Sequence, residues 1–294
     1  MSWRATMTAG LLLAAAVLPA RAQTALEWKF KDGEKFYIEA VTDTRQTITA
    51  GDKTTNSGST FTTVSSVVVK KTDGGYRVEL TVEDVKVKSN KPDDATVTTA
   101  SRFANQLKGA SFKFTISPSG KITSKTIEGY DDLVKKLGGG NETAEKAVRA
   151  LLPEDAFREE LNAMFGFLPD NPKDSKWTRT ESLSMPWGTL KGAAEYKHTG
   201  KTKDGEEIKV SRRWSYELPK EGAAGAKVSK GDVKVDKAEA NIVVDPAAGR
   251  LVSNAQTMHV AGKLTINDGS KETTSDIDQT TTRTLRRVDE NPAK

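Results

Sequence analysis

The hydrophobic pattern of this chain changes its period twice, and these changes limit the possible folds more than any other feature. Apolar residues recur mostly at every second position in residues 23–128, every three or four positions in 129–169, and every second position again in 170–290. A period of two is typical of half-buried strands, and a period of 3.6 is typical of amphipathic helices. We therefore predict a single α+β domain, mostly antiparallel β, over residues 23–294. Its long-stranded curved sheet or half-barrel carries a central insertion of about three helices on one face.

The first β block predicts a meander of long antiparallel strands. Its alternating segments begin at Phe36, Phe61, Tyr76 and Phe112, and a return strand is predicted from Ile122. Tight turns are predicted at Asp73-Gly74-Gly75 and Ser117-Pro118-Ser119-Gly120. The apolar face changes phase at Glu83-Asp84, which predicts a β-bulge in one long strand.

The middle block predicts three helices in succession. Gly138-Gly139-Gly140 ends the first, Asn141 is a suitable N-cap for the second, and Pro153 suits the first turn of the third. The third helix carries an apolar stripe that needs a partner, and the sheet is the only large candidate. The stripe consists of Phe157, Leu161, Met164, Phe165 and Leu168.

The last block returns to strands. Trp177 opens one that Pro186-Trp187-Gly188 interrupts, and a change of phase between Val235 and Ala238 predicts a second bulge. Turns are predicted at 203–205, 245–249 and 267–269. The closing segment, 272–288, is mostly threonine and charged residues, which predicts a strand at a sheet edge or one that projects beyond the core.

The N-terminus has the pattern of a secretory signal peptide. Arg4 precedes an apolar run of about ten residues, and Ala20-Arg21-Ala22 fits the small-x-small cleavage site. We expect cleavage between Ala22 and Gln23 and a secreted or periplasmic protein. No transmembrane segment is expected, because a span needs roughly twenty apolar residues. The chain has no cysteine, which excludes disulfides and thiolate metal sites and favours a bacterial envelope over a eukaryotic extracellular location.

Charge and motifs argue against several classes of function. Removing residues 1–22 takes away Arg4 and Arg21 and no acid, which lowers the net charge from +5 to +3. Nucleic-acid binding is not expected, because the charges alternate in sign and form no basic stripe. His198 and His259 have no sequence partners at the spacing of a catalytic triad or zinc site, and no cofactor motif is present. Asp268, Asp276 and Asp278 lack the spacing of an EF-hand calcium site. From these features together, we expect no metal, no cofactor and no enzymatic activity.

Two segments resemble a known group of proteins. Both resemble uncharacterised secreted bacterial proteins of the planctomycete type. The first is the opening segment Leu26-Glu27-Trp28-Lys29-Phe30-Lys31-Asp32-Gly33-Glu34-Lys35-Phe36. The second is the later Phe114-Thr115-Ile116-Ser117-Pro118-Ser119-Gly120-Lys121-Ile122, together with Leu168-Pro169. That resemblance transfers no activity and no functional residue. The meander–helix–meander order is also similar to the periplasmic lipoprotein-carrier fold, which implies a curved sheet around helices.

Three classes of function stay open at the level of sequence. The leading one is a non-enzymatic secreted or periplasmic protein that binds a lipid or another apolar small molecule between sheet and helices. The candidate ligand-binding residues are Phe157, Leu161, Met164, Phe165 and Phe167. These side chains equally suit a filled core, and a cavity of several hundred cubic ångströms would distinguish the two. The alternatives are a structural or assembly protein of the envelope that pairs through its polar edge strand, and a hydrolase using carboxylates such as Asp204, Glu206 and Glu207.

Overall fold

The computed structural model describes residues 25–91, 101, 103–185, 187–219, 227–267 and 271–293. The predicted signal peptide, its cleavage site and the turn residues Asp268-Gly269 lie outside these ranges. The strands are β1 (Glu34–Ala50), β2 (Lys53–Thr72), β3 (Gly75–Ser89), β4 (Ser111–Ile116), β5 (Lys176–Met185), β6 (Gly188–Lys201), β7 (Glu206–Glu217), β8 (Lys227–Asp245), β9 (Arg250–Asn267) and β10 (Glu272–Val288). The helices are α1 (Tyr130–Gly138), α2 (Glu142–Leu151) and α3 (Glu154–Phe165), with further helical residues at 103–107.

All ten strands belong to one antiparallel sheet, which confirms the predicted fold class. Their order is β4-β3-β2-β1-β10-β9-β8-β7-β6-β5, so β4 and β5 form the two edges of a curved, unclosed sheet. Strands that are consecutive in the chain pair with each other within each block. The pairing of β1 with β10 then joins the first and last β blocks into one sheet.

The position of β10 contradicts the predicted edge strand. β10 pairs with β1 along one side and with β9 along the other, so it lies at the centre of the sheet. Ile277 and Leu285 are buried at its two ends, whereas Thr282 and Thr284 face solvent. The polarity of β10 therefore reflects one solvated face and polar residues in the middle of the other face. The hypothesis of an assembly protein that pairs through this strand loses its basis, because both sides of β10 are already paired.

Both predicted bulges are present. The register of β2 and β3 shifts between Val64 and Ser65, which leaves Glu83 unopposed. The register of β8 and β9 shifts between Val235 and Lys237, which leaves Asp236 unopposed. A change in the phase of apolar residues was a sufficient signal in each case, because an extra residue moves all later side chains to the opposite face.

Three boundaries differ from the sequence predictions. β2 begins at Lys53, directly after a two-residue turn, although its first residues are polar. The interruption before Gly188 is a hairpin between β5 and β6, with Met185 opposite Gly188, and does not divide a single strand. Ile122 forms one isolated bridge with Ile116 and begins no return strand. In each case the pairing partner, and not local composition, determines where the strand lies.

The helices pack on one face of the sheet, here called the inner face. Leu161 and Phe165 of α3 are buried with Phe36, Val67 and Phe114 of the sheet in what we call the helix-side core. The ring of Phe157 lies 4.6 Å from that of Phe112, between centroids. Asn141 caps α2 by accepting a hydrogen bond from the Ala144 amide at 3.0 Å, as predicted. No helix in the described parts of the chain combines the length and apolar character needed to span a bilayer.

A second apolar cluster, the far core, lies at the other end of the sheet. β7 pairs with β8 only from Glu206 to Ser211, but its pairing with β6 continues to Glu217. Beyond Ser211, β5, β6 and β7 therefore leave the plane of the sheet and fold over the inner face of β8 and β9. The buried members of the far core are Leu190, Val228, Val233, Val260, Leu264 and Ile277.

Candidate functional site

The five residues predicted to bind an apolar ligand lie between α3 and the sheet. Leu161, Phe165 and Phe167 are buried, and Phe157 and Met164 are partly buried against the same core. Beside Met164 and Phe165 is a void of about 10 Å³. This space is about that of one water molecule. The helix is therefore docked on the sheet as predicted, the space around it is filled, and the ligand-binding role of these residues stays a prediction.

A charged cluster lies on the inner face where the two cores meet. Glu181 of β5 accepts a hydrogen bond from the Tyr196 hydroxyl at 2.6 Å and another from Arg212 Nε at 2.7 Å. Burial, together with the neighbouring Glu181, raises the pKa of Tyr196. Burial and the nearby charge of Glu181 also raise the pKa of Glu159 on α3. The hydrogen bonds of this cluster connect β5, β6 and β7. Because its charges are partnered within the protein, it needs no ligand to neutralise them.

The carboxylates suggested for a hydrolase do not converge. Glu206 and Glu207 are consecutive in β7, so their side chains point to opposite faces of the sheet. The Glu206 side chain is 8% exposed and lies 2.8 Å from His198 Nε2. Glu207 accepts a hydrogen bond from the Thr199 hydroxyl at 2.6 Å, which lowers the pKa of Glu207. The backbone amide of Asp204 bonds Thr202 in the turn before β7.

A polar groove of about 810 Å³ lies on the outer face of the sheet, away from the cores. Its floor is a grid of three residues from each of three adjacent strands. Asp43, Arg45 and Thr47 of β1 lie in the middle row of this grid. Thr60, Gly58 and Asn56 of β2 lie opposite them on one side, and Thr282, Thr280 and Asp278 of β10 on the other. The remaining lining residues are Gln46, Ser57, Ser59, Lys88, Ser89 and Asn90.

Hydroxyl, amide and balanced charged groups characterise this groove. The acids Asp43 and Asp278 are matched by the bases Arg45 and Lys88. Thr47 donates a hydrogen bond to Asn56 Oδ1 at 2.8 Å, and Thr60 donates one to Asp43 at 3.1 Å. At the rim, Asn90 Oδ1 accepts a hydrogen bond from the Gly58 amide at 2.8 Å. Gly58 has no side chain, and the side-chain amide of Asn90 lies 3.6 Å from where its Cβ would be.

His259 of β9 lies next to the groove, directly opposite Thr280 of β10. Its Nδ1 is 2.5 Å from Asp236 Oδ1 at the β8 bulge, and its Nε2 is 3.3 Å from Asp278 Oδ1. These hydrogen bonds, that of Asp236 above all, raise the pKa of His259. The two carboxylates lie on opposite sides of the ring, so they do not converge on one point. Consistently, no group of three or more acidic or histidine side chains in the described residues is arranged to hold a metal ion.

Neither the groove nor the partners of His259 was predicted from the sequence. Threonine-rich strands predicted a solvated face, but not that four strands would place these residues around one concavity. The aspartates that flank His259 come from β8 and β10. Because these strands are not consecutive in the chain, the sequence did not indicate that the two aspartates lie close to His259. The predicted bulge was the one available signal, because it brings Asp236 out of the regular alternation.

Comparison with protein-family models decides the classification. The model of a family of unknown function (DUF6263) matches residues 65–282, about three quarters of the chain. The chain belongs to the DUF6263 family. The matched range runs from the middle of β2 to the middle of β10 and includes α1, α2 and α3. No curated protein matches this DUF6263 chain.

The solved structures that match this DUF6263 protein have little sequence in common with it. A structure of lipovitellin that concerns lipid–protein interactions matches with 13% identity and a TM-score of 0.48, over 90% of this chain and 26% of that chain. DynF, from dynemicin biosynthesis in Micromonospora chersina, matches with 9% identity and a TM-score of 0.20, over 96% and 92%. A DUF1329 family protein from Desulfovibrio piger matches with 12% identity and a TM-score of 0.14, over 84% of each chain. TM-scores below 0.5 transfer no function to this chain.

Proposed function

We propose that this DUF6263 protein is an exported, non-enzymatic binding protein whose ligand lies in the polar groove. The observation that carries the proposal is a concavity of about 810 Å³ whose floor consists of nine directly opposed residues on three paired strands. Pockets for small molecules commonly have volumes of roughly 300–1,000 Å³. Strand pairing also fixes the backbone of the floor, so binding need not order it and costs less entropy.

The ligand class follows from the chemistry of the lining. Threonine and serine hydroxyls both donate and accept hydrogen bonds, and asparagine and glutamine do so through separate atoms. The groove has two acidic and two basic side chains, so it favours neither a strongly anionic nor a strongly cationic ligand. A neutral, hydroxyl-rich molecule such as an oligosaccharide matches these properties.

The environments of the histidines support a non-enzymatic role. The side chains of His198 and Glu206 are 9% and 8% exposed, which keeps this pair from a bound substrate. Both ring nitrogens of His259 already contact carboxylates. A general base needs a free nitrogen within hydrogen-bond reach of the proton that it removes.

Export is part of the proposal and is supported by the sequence of residues 1–22 and by the resemblance to secreted bacterial proteins. Expression in a bacterial host with the full N-terminus should release a mature protein that begins at Gln23. Mass analysis of the periplasmic and medium fractions measures this directly. Exported protein that retains residues 1–22 would contradict the predicted cleavage.

Binding is tested by isothermal titration calorimetry with neutral oligosaccharides, for which cellohexaose and chitohexaose are the first probes. Gly58→Val should abolish binding, because it fills the floor with a residue that strands favour. Thr280→Val should weaken binding by roughly 2- to 10-fold, since one hydrogen bond contributes about 0.5–1.5 kcal/mol. Thr284→Val is the matched control, on the same strand and face but outside the groove, and should bind like the wild type.

The same protein also tests the apolar-ligand hypothesis. Native mass spectrometry of protein purified from its own host would detect a copurified lipid. Because only about 10 Å³ is open beside Met164 and Phe165, a lipid there requires α3 to move away from the sheet. A retained lipid together with no saccharide binding would replace the groove proposal with that hypothesis.

A further inference from the structure

The two edges of the sheet differ in how they are protected. The edge strand β4 is covered by the segment that follows it. The backbone amides of Lys113 and Glu128 each donate to the other residue's carbonyl at 3.0 Å, and the Thr123 amide donates to Thr115 at 2.9 Å. At the opposite edge, β5 ends the strand order with β6 as its hydrogen-bonded neighbour among the described strands. Within the described ranges, the β4 edge is therefore covered, whereas β5 pairs on one side only and can accept another strand on the other.

β5 lacks two of the usual features that prevent edge pairing, a bulge and a proline, although Lys176 at its start is an exposed, outward-facing lysine. Its ten residues pair with β6 without a register shift, from Lys176 to Met185. No proline or glycine occurs between them, and the outward-facing Thr178 and Thr180 are exposed and uncharged. Natural edge strands commonly carry a bulge, a proline or an outward lysine that discourages pairing. A long edge without a bulge or a proline is a template for another strand, and the outward lysine of β5 lies at the end of the strand and not at its centre.

The sequence of β5 is complementary to itself about Thr180. In an antiparallel pair, directly opposed residues share a face of the sheet. With Thr180 opposite its own copy, Arg179 of each chain faces Glu181 of the other, and Trp177 faces Leu183. On the other face, Thr178 lies opposite Ser182. The strand thus pairs opposite charges twice and apolar side chains twice in one register.

We propose that two copies of this chain associate through β5, antiparallel and centred on Thr180, to form a two-fold symmetric dimer with a continuous sheet. An unrelated peptide would match this edge only by backbone hydrogen bonds, whereas a second copy also matches its charges and apolar side chains. Because a two-fold pairing uses the open side of β5 in both copies, no β5 edge remains for a third copy, and association stops at two copies. The dimer is independent of what the polar groove binds.

Single-cysteine variants test the register, since the chain contains no cysteine. In the proposed dimer the two Thr180 Cα atoms lie about 4.5–5.5 Å apart, within the range of about 4.4–6.8 Å that a disulfide spans. Thr180→Cys should therefore yield a disulfide-linked dimer under mild oxidation. Thr178→Cys and Ser182→Cys are matched controls, because each is about 13 Å from its own copy along the strand. They should stay unlinked, whereas the double variant Thr178→Cys/Ser182→Cys should link.

Analytical ultracentrifugation tests the association itself, without any cross-link. The wild type should sediment at about twice the monomer mass, and Thr180→Lys should sediment as a folded monomer because it places two like charges opposite each other. Thr284→Lys, in the centre of the sheet, should stay dimeric, which controls for added charge. A monomeric wild type, a Thr180→Lys dimer, or equal cross-linking at positions 178 and 180 would overturn the proposal.

Discussion

The indole Nε1 of Trp28 donates a hydrogen bond of 2.8 Å to the carbonyl oxygen of Phe165, across 137 residues of sequence. That carbonyl is in the last turn of α3, where backbone acceptors lack partners within the helix. The amides of Leu26 and Trp28 also bond the carbonyls of Pro172 and Pro118, at 2.9 and 3.1 Å. The segment before β1 therefore fastens the C-terminal end of α3 to the sheet.

Gly120 lies against this hydrogen bond, so Gly120→Ala should be strongly destabilising. Its φ is +85°, and a Cβ there would lie 1.7 Å from the Phe165 carbonyl oxygen and 2.3 Å from Trp28 Nε1. Gly33→Ala is the matched control, because Gly33 has a φ of +71° and no atom within 4 Å of an added Cβ. The control should lose about 1–2 kcal/mol from backbone strain alone, and Gly120→Ala clearly more, by urea denaturation. Equal losses would show that the close approach does not exist.

Truncation of Phe165 measures how well the helix-side core is filled. Phe165 is 1% exposed and packs near Phe114 and Trp28, so Phe165→Ala should cost about 3–5 kcal/mol. Phe103→Ala, at a side chain that is 39% exposed, should cost much less. Thermal and denaturant unfolding give both values. A small cost at Phe165 with loss of a bound lipid would instead indicate a ligand cavity.

Leu161→Asp should unfold the protein or nearly so. Leu161 is 2% exposed in the helix-side core, and a carboxylate there would have no partner to offset its loss of water. Circular dichroism and the melting temperature report the outcome. An unchanged melting temperature would contradict the docking of α3.

His259 should make stability depend on pH in a defined direction. Asp236 and Asp278 raise its pKa, so the folded state holds the proton more tightly than the unfolded state. The added stability is therefore fully present below pH 6.5, the ordinary value, and is lost as the pH rises through the raised pKa. Lys237 lies opposite His259 on β8 and forms an ion pair with Glu239 at 3.0 Å.

The variant Asp236→Asn tests this assignment. It removes the largest cause of the shift, so it should reduce the loss of stability above pH 6.5 and lower the pKa that NMR measures for His259. Asp52→Asn, in the exposed turn after β1, is the control. If the pKa of His259 is the same in Asp236→Asn as in the wild type, the hydrogen bond between Asp236 and His259 is contradicted.

Arg212 and Glu181 should behave as a coupled pair. Their side chains are 11% and 22% exposed, so Arg212→Met leaves a carboxylate largely without water or a counter-charge. Removing one partner of a fully buried pair costs about 3–5 kcal/mol, and the partial exposure here places the expected cost near or below the lower figure. Adding Glu181→Gln should restore part of the loss, because the amide oxygen still accepts the Tyr196 hydroxyl. A double variant as unstable as the sum of the two single variants would exclude coupling.

The amino-acid sequence by itself determined the elements of this fold and several of their details. Alternation and helical spacing identified the sheet and its three helices, the phase slips located the bulges at Glu83 and Asp236, and Asn141 marked the start of α2. These features are local, because an N-cap, a bulge or an amphipathic face depends on residues within a few positions of one another.

Tertiary structure alone decided which strands became neighbours, and with that the candidate site. β10 is polar enough for an edge, yet its pairing with β1 and β9 places it at the centre, where its threonines form one side of the groove. The carboxylates around His259 meet for the same reason, since β8, β9 and β10 are adjacent only in the folded sheet. Strand order depends on which apolar faces can be buried together across the whole chain, and no short segment contains that information.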